Sequence, residues 1–232
     1  MSEIRSGRLV RVSISSAELI GPLNAVEQKF APRSLWIAGD RALLQHHPRV
    51  AVVGTRKPSA EGERRTRRLV KELVRHRAII VSGLAAGVDT IAHTEAIAQG
   101  GRTIAVIGTP LDEVFPKANA RLQERIALEH LVVSEFPPGT VVARGNFPRR
   151  NRTMALLADA SVIIEASEGS GTLSQGWEAL RLGRPLFLLK SLVESELEWP
   201  REMLAYGAMV LSTLDDLISM LPTDGFCEAV SF

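Results

Sequence analysis

Short apolar runs rich in Val and Ile return along this chain from residue 50 onward, at 50–54, 78–83, 103–108, 131–135, 161–166, 185–189 and 208–211. Longer amphipathic stretches separate them, near 60–76, 88–99, 117–129, 151–158, 172–182 and 213–221. Each run is apolar on both of its faces, which only a strand covered by helices on both sides can bury. Strands of that kind alternating with helices predict an α/β fold, a doubly wound and mostly parallel Rossmann-like sheet with helices on both faces. The first 45 residues read as strand (9–14), helix (Ser16 to Phe30) and strand (35–39). They are expected as an N-terminal extension (1–45) packed on a core domain (46–222), with a C-terminal tail at 223–232. Neither a Pro/Gly/Ser-rich linker nor an internal repeat divides the chain.

The 232 residues, 45% hydrophobic and 23% charged, suit a soluble globular protein with one sizeable core. No stretch reaches the roughly 18 uninterrupted apolar residues of a membrane span, and no signal-peptide pattern opens the sequence. The single cysteine, Cys227, excludes an internal disulfide. A cytoplasmic setting without membrane contact is expected. The net charge of +2 conceals an uneven distribution. Between Glu135 and Asp159 there is no acid, yet Arg144, Arg149, Arg150 and Arg152 fall there, so one face can be strongly positive. A second basic run, Arg64 to Arg77, has the pattern of any solvated helix face.

In an open α/β sheet, ligands bind outside the carboxyl ends of the strands, and four polar segments follow predicted strands. Gly54-Thr55-Arg56-Lys57-Pro58-Ser59 offers a turn glycine, two cations and a helix cap, at a helix N-terminus that favours an anion. It lacks the three spaced glycines of a dinucleotide fingerprint. Ser82 to Asp89, with His93, packs small residues before a helix. Asp89 suits a helix N-terminus and His93 an inward histidine, and no nucleophile or metal-ligand spacing accompanies them. Arg144 to Arg152 reads as a basic loop with Phe147 among the arginines; guanidinium forks suit phosphate and the ring suits an unpaired base. The competing reading is a solvated loop anchored by Phe147. Glu168-Gly169-Ser170-Gly171-Thr172 places hydroxyls and free amides where a phosphate can sit.

In this order the segments resemble the DprA/Smf family of DNA-processing proteins. The similarity is carried by Gly54-Thr55-Arg56, Ser82-Gly83-Leu84-Ala85 with Gly87-Val88-Asp89 and Ala92-His93, and Gly101 to Gly108. It continues through Pro116 with Asn119, Ser134-Glu135-Phe136-Pro137, Phe147 to Arg152, and Ser170-Gly171. It spans about residues 34–188. The resemblance implies a Rossmann-like protein that binds single-stranded DNA, forms a homodimer and loads the recombinase RecA in natural transformation, without cofactor or metal. By motif position it implies DNA or phosphate contacts at Arg56, Gly83, Phe147, Arg149, Arg150, Arg152, Ser170, Gly171 and Thr172, and no catalytic residue. Three departures are visible. The helical domain that often precedes the family's core and the winged-helix module that often follows it have no counterpart in these residues. The usual Val-Pro-Gly after the strand at 185–189 is Leu-Lys-Ser here. Ser170-Gly171 continues as Thr172-Leu173-Ser174-Gln175-Gly176 rather than with the usual Thr-Ala ending.

The principal rival is an enzyme. Gly169-Ser170-Gly171-Thr172 resembles the phosphate loop of LOG-type nucleoside monophosphate phosphoribohydrolases, but Gln175 stands where those place a catalytic Glu, and the nearest Glu is Glu178. An amide cannot supply the carboxylate that the chemistry needs. A nucleotide-sensing module is a third reading. A nicotinamide dehydrogenase is the weakest, since both the fingerprint and its ribose-binding acid are missing.

Overall fold

The computed structural model describes residues 11–15, 20 and 23–222. Cys227 and the expected tail at 223–232 lie outside the described residues, as does most of the segment preceding Leu23.

Among the described residues, nine strands form one sheet in the order β1-β2-β6-β5-β4-β3-β7-β8-β9. They are β1 (Arg11–Ser15), β2 (Ser34–Gly39), β3 (Arg49–Val53), β4 (Ile79–Ser82), β5 (Thr103–Ile107), β6 (Leu131–Ser134), β7 (Ala160–Ile163), β8 (Leu186–Leu189) and β9 (Met209–Leu211). From β6 across to β9 every neighbouring pair is parallel. The fold is therefore the α/β, mostly parallel arrangement that the apolar runs predict. The two N-terminal strands extend the sheet antiparallel, β2 against β6 and β1 against β2.

The helices are α1 (Ala25–Phe30), α2 (Ala60–Arg75), α3 (Val88–Ala98), α4 (Ala120–Glu129), α5 (Asn146–Leu157), α6 (Gly171–Arg181), α7 (Lys190–Val193), α8 (Trp199–Ala205) and α9 (Leu214–Ile218). Alternation along the strands divides the core into two layers. Ala51, Val53, Val81, Ile104, Val106 and Val133 face Met154 and Leu157 of α5. Val50, Val52, Ile80 and Val162 face Val70 and Leu73 of α2, with Val88 and Ala92 of α3.

Two helix expectations differ from the structure. The single helix expected over Ser16 to Phe30 is interrupted, because Asn24 caps a new helix: its Oδ1 accepts from Val26 N and Glu27 N, and Glu27 Oε2 accepts from Asn24 N at 3.0 Å. The basic segment read as a loop through Arg152 is helical from Asn146 onward. Pro148 sits in its first turn, where an amide N–H has no intrahelical partner, so the proline breaks nothing.

The chain steps outward from β3 through β4, β5 and β6, then returns to place β7 on the other side of β3. The carboxyl ends of β3 and β7 therefore flank the topological switch point, where open α/β sheets leave a crevice.

Candidate functional site

Three loops lock together at that point. Thr55 N–H donates to Glu165 O (2.7 Å), Val88 N–H to Thr55 O (3.2 Å), and the Thr172 hydroxyl to Gly54 O (2.9 Å). Ser59 caps α2 as its position predicts, its Oγ accepting from Gly62 N at 3.0 Å. The Glu165 carboxylate then takes Ser59 Oγ (2.8 Å) and Ser59 N (3.1 and 3.2 Å). The anion expected at the α2 N-terminus is thus supplied by the protein itself, which corrects the reading of that end as a phosphate site.

Beside these loops lies a cavity of about 400 Å³. Arg56 reaches it from the β3 loop, Phe147, Asn151 and Met154 from α5, and Ser170, Gly171, Thr172 and Gln175 from the start of α6. At the α6 terminus Ser170 Oγ accepts from Thr172 N at 3.2 Å and Ser170 O from Leu173 N at 3.0 Å. Gly171 N–H is left without a partner inside the described protein. A Cβ on Gly171 would meet nothing within 4 Å. Packing does not require glycine there, whereas close approach of a ligand to the backbone would.

Behind the cavity stands a buried polar wall. Arg150, 7% exposed, donates to Gly83 O, to Val106 O (2.8 Å) and to Asn151 Oδ1 (3.0 Å). Asp89 in the first turn of α3 accepts from Gly83 N (3.1 Å) and Ala85 N (3.3 Å). Burial pushes the Asp89 carboxyl up and the Arg150 guanidinium down, and each shift is opposed by the other group's charge. Asn119 Nδ2 donates to Leu84 O and Thr90 Oγ1, both at 2.9 Å, pinning a fully buried Leu84 at φ +57°. A left-handed leucine costs on the order of 1–3 kcal/mol and persists only where its surroundings dictate it. His93 is fully buried and holds Thr103 Oγ1 at 2.7 Å. Because the Thr103 hydroxyl donates to Ile80 O, the imidazole Nδ1–H is the donor. Burial lowers His93 to about 3, so it is neutral and serves packing, not proton transfer.

The structure brings six of the nine expected contact residues to the cavity: Arg56, Phe147, Arg150, Ser170, Gly171 and Thr172. Gly83 is not in the cavity wall. It faces the Arg150 guanidinium, where a Cβ would lie 2.2 Å from Nη1, so its small size answers a packing demand. Arg149 and Arg152 also stand outside the lining. Arg149 pairs with Glu135 (2.8 Å) over the Phe136 ring, and Arg152 with Glu178 (2.9 Å) over Phe30. Glu178 holds Arg152 above an arginine's ordinary value. Phe147 is half-buried: it rests on Gly108 and packs at 5.3 Å, tilted, on the half-exposed Phe115 ring. It is anchor and exposed face at once.

Sequence reasoning did not find Asn151 and Met154 in the lining, nor Phe115 beside Phe147. The helical period of α5 carried the signal for the first two, since Phe147, Arg150, Asn151 and Met154 recur at three and four residues. Of the arginines in the 54–59 and 144–152 segments, Arg56 and Arg144 form no ion pair, whereas Arg149 and Arg152 are paired and Arg150 is buried. No cluster of three or more His, Cys, Asp or Glu able to hold a metal occurs among the described residues. No described helix is long and apolar enough to cross a membrane.

Residues 17–222 match the family model for DNA recombination-mediator protein A. The DNA processing protein DprA of Bacillus subtilis is 34% identical over 192 residues, covering 82% of this chain and 65% of that protein. The structure of DprA from Streptococcus pneumoniae superposes with a TM-score of 0.78 at 36% identity, covering 90% of this chain and 73% of that one. DNA processing protein A from Helicobacter pylori, described for its single-stranded DNA binding mode, superposes with a TM-score of 0.75 at 30% identity, covering 91% and 95%. The chain spans about two thirds of the length of the Bacillus and Streptococcus relatives it matches. The family match over residues 17–222 and the identities to its relatives make this chain a member of the DNA recombination-mediator protein A family, also called DprA or Smf.

Proposed function

We propose that this chain binds single-stranded DNA at the switch-point cavity and acts in DNA processing. One observation carries the reading: an unpaired Arg56 and a half-exposed Phe147 ring share the mouth of a cavity with the free Gly171 amide. A backbone phosphate would take Arg56 and the Gly171 N–H, and an unstacked base would take the ring. Thr172 holds the loop after β3 in place through Gly54 O. Arg149 and Arg152 already have their charge offset by Glu135 and Glu178, so their share of the binding is expected to be smaller. Arg150 supports the site from behind. The relatives add weight, since the Helicobacter pylori protein is described as binding single-stranded DNA. RecA as partner and a homodimer belong to the same proposal; binding to purified RecA and sedimentation of the chain test them.

Titrating a single-stranded oligonucleotide against its matched duplex at equal salt tests the reading. Single strands are expected to bind more tightly, because a duplex offers no unpaired base for Phe147. Equal affinities would overturn it. Hydrolysis of nucleoside monophosphates is not expected. Gln175 is an amide, and Glu178 is buried in ion pairs with Arg152 (2.9 Å) and Arg181 (3.4 Å).

A further inference from the structure

Phe115 keeps 49% of its surface in solvent, although the loop that carries it is braced on both sides of the ring. Before it, Glu113 N donates to Pro110 O at 3.0 Å, and Glu113 O accepts from Thr109 Oγ1 (3.0 Å) and Gln123 Nε2 (3.2 Å). After it, Pro116 O accepts from Asn119 N at 3.0 Å, and the buried Asn119 is tied to Leu84 O and Thr90 Oγ1. A fixed backbone thus holds the ring out in water. Single exposed apolar side chains are ordinary, but this one touches Phe147, with ring centroids 5.3 Å apart and planes tilted by 50°. Phe147 lines the cavity and Phe115 does not. The two rings form one aromatic patch that begins at the cavity mouth and continues outside it.

Because the planes are tilted, one base cannot lie flat on both rings. Resting on the DNA-binding reading, we propose that Phe115 is a second stacking platform, taking the base next to the one stacked on Phe147. Stacking asks only for a π-face, so the platform accepts any base. The 5.3 Å spacing exceeds the rise of about 3.4 Å between stacked bases, so the two bases part as the strand passes. Phe147 rests on Gly108, which follows β5, so the strand leaves the switch point over the carboxyl ends of β4 and β5. Charge does not supply this contact. Asp112, Glu113 and Lys117 flank Phe115 and are exposed, with more acid than base among them, and Asp112 lines a separate cleft with Glu124 beside α4. What the loop offers the strand is the ring. If Phe115 served only to cover Phe147, another apolar side chain would do as well.

The experiment measures binding of oligo-dT, and of a base-free sugar–phosphate strand of equal length, to the parent, Phe115→Leu and Phe115→Tyr, with melting curves and salt slopes. Phe115→Leu keeps the apolar cover but loses the π-face. It should bind oligo-dT about tenfold more weakly, toward the lower end of what one stacked base is worth, with its salt slope unchanged. Phe115→Tyr should restore the affinity of the parent. On the base-free strand the parent and Phe115→Leu should bind alike, whatever the variant's stability. Most of the loss should also persist when Phe115→Leu is made in Phe147→Ala, whereas a ring that acts only through Phe147 would show no loss there. Phe115→Leu binding oligo-dT like the parent, an equal loss on the base-free strand, or a loss that vanishes in Phe147→Ala overturns the proposal and leaves DNA binding standing. Failure of the parent to bind oligo-dT overturns the DNA-binding reading itself.

Discussion

The mouth of the cavity and the wall behind it share helix α5, yet they hold their polar groups in opposite ways. At the mouth, Arg56 has no ion pair and Gly171 N–H has no acceptor. In the wall, Arg150 spends its donors on Gly83 O, Val106 O and Asn151, and Asp89 takes two backbone amides. Phe147 and Arg150 are three residues apart on α5, one half-exposed and one buried. A group already satisfied inside the protein gains little by meeting a ligand, whereas an unsatisfied one gains a full interaction. The difference teaches that charge counted along the chain is not charge available to a partner. Wall residues should therefore govern stability and mouth residues binding.

The largest expected effect is in the wall. Arg150→Ala would strand Asp89 and two carbonyls in the interior and should cost about 3–5 kcal/mol of folding stability, read from denaturant unfolding. A loss of binding with unchanged unfolding would break the division between wall and mouth.

At the mouth, Phe147→Ala should weaken single-strand binding by about 1–3 kcal/mol and leave the salt dependence of affinity nearly unchanged, since a ring releases no counterions. Melting curves sharpen the comparison, because Phe147 also rests on Gly108 and Phe115. A variant as stable as the parent that binds equally well would remove the ring from the interface.

A third, smaller effect concerns pH and the wall alone. His93 falls from 6.5 to about 3, first through burial and then through the nearby positive charge of His130. The unfolded chain takes up the proton first, so the contribution is complete above pH 6.5 and is lost as pH falls from 6.5 toward 3. Near 1.4 kcal/mol per unit, stability at pH 5 should be lower by about 2 kcal/mol than at neutral pH. His93→Gln should show a shallower fall across that window; an identical fall would place the titration elsewhere.

The sheet was legible because period and composition agree: every run from 50–54 to 208–211 is a strand within one to three residues. The capping role of Ser59 and the inward setting of His93 were also readable from local chemistry. The basic run was harder. Its arginines look alike in sequence, but α5 begins at Asn146, and a helical turn sends Arg149 to Glu135 and Arg152 to Glu178, acids that lie 14 and 26 residues away. The carboxylate at the α2 N-terminus comes from Glu165, 106 residues after Ser59. Partners that distant are set by topology, which no local pattern encodes.

The central claim, that the strand is held at the cavity mouth and not by the basic run as a whole, is tested most directly by salt dependence. The slope of log affinity against log salt should be measured for the parent, Arg56→Ala, and the double variant Arg149→Ala/Arg152→Ala. Each lost contact between a cation and a single-strand phosphate should flatten the slope by up to ~0.7. Arg56→Ala should show that change in full, while the double variant, whose arginines are neutralised by Glu135 and Glu178, should stay close to the parent. A double variant that loses most of the slope, beside an Arg56→Ala protein that keeps it, would contradict the account.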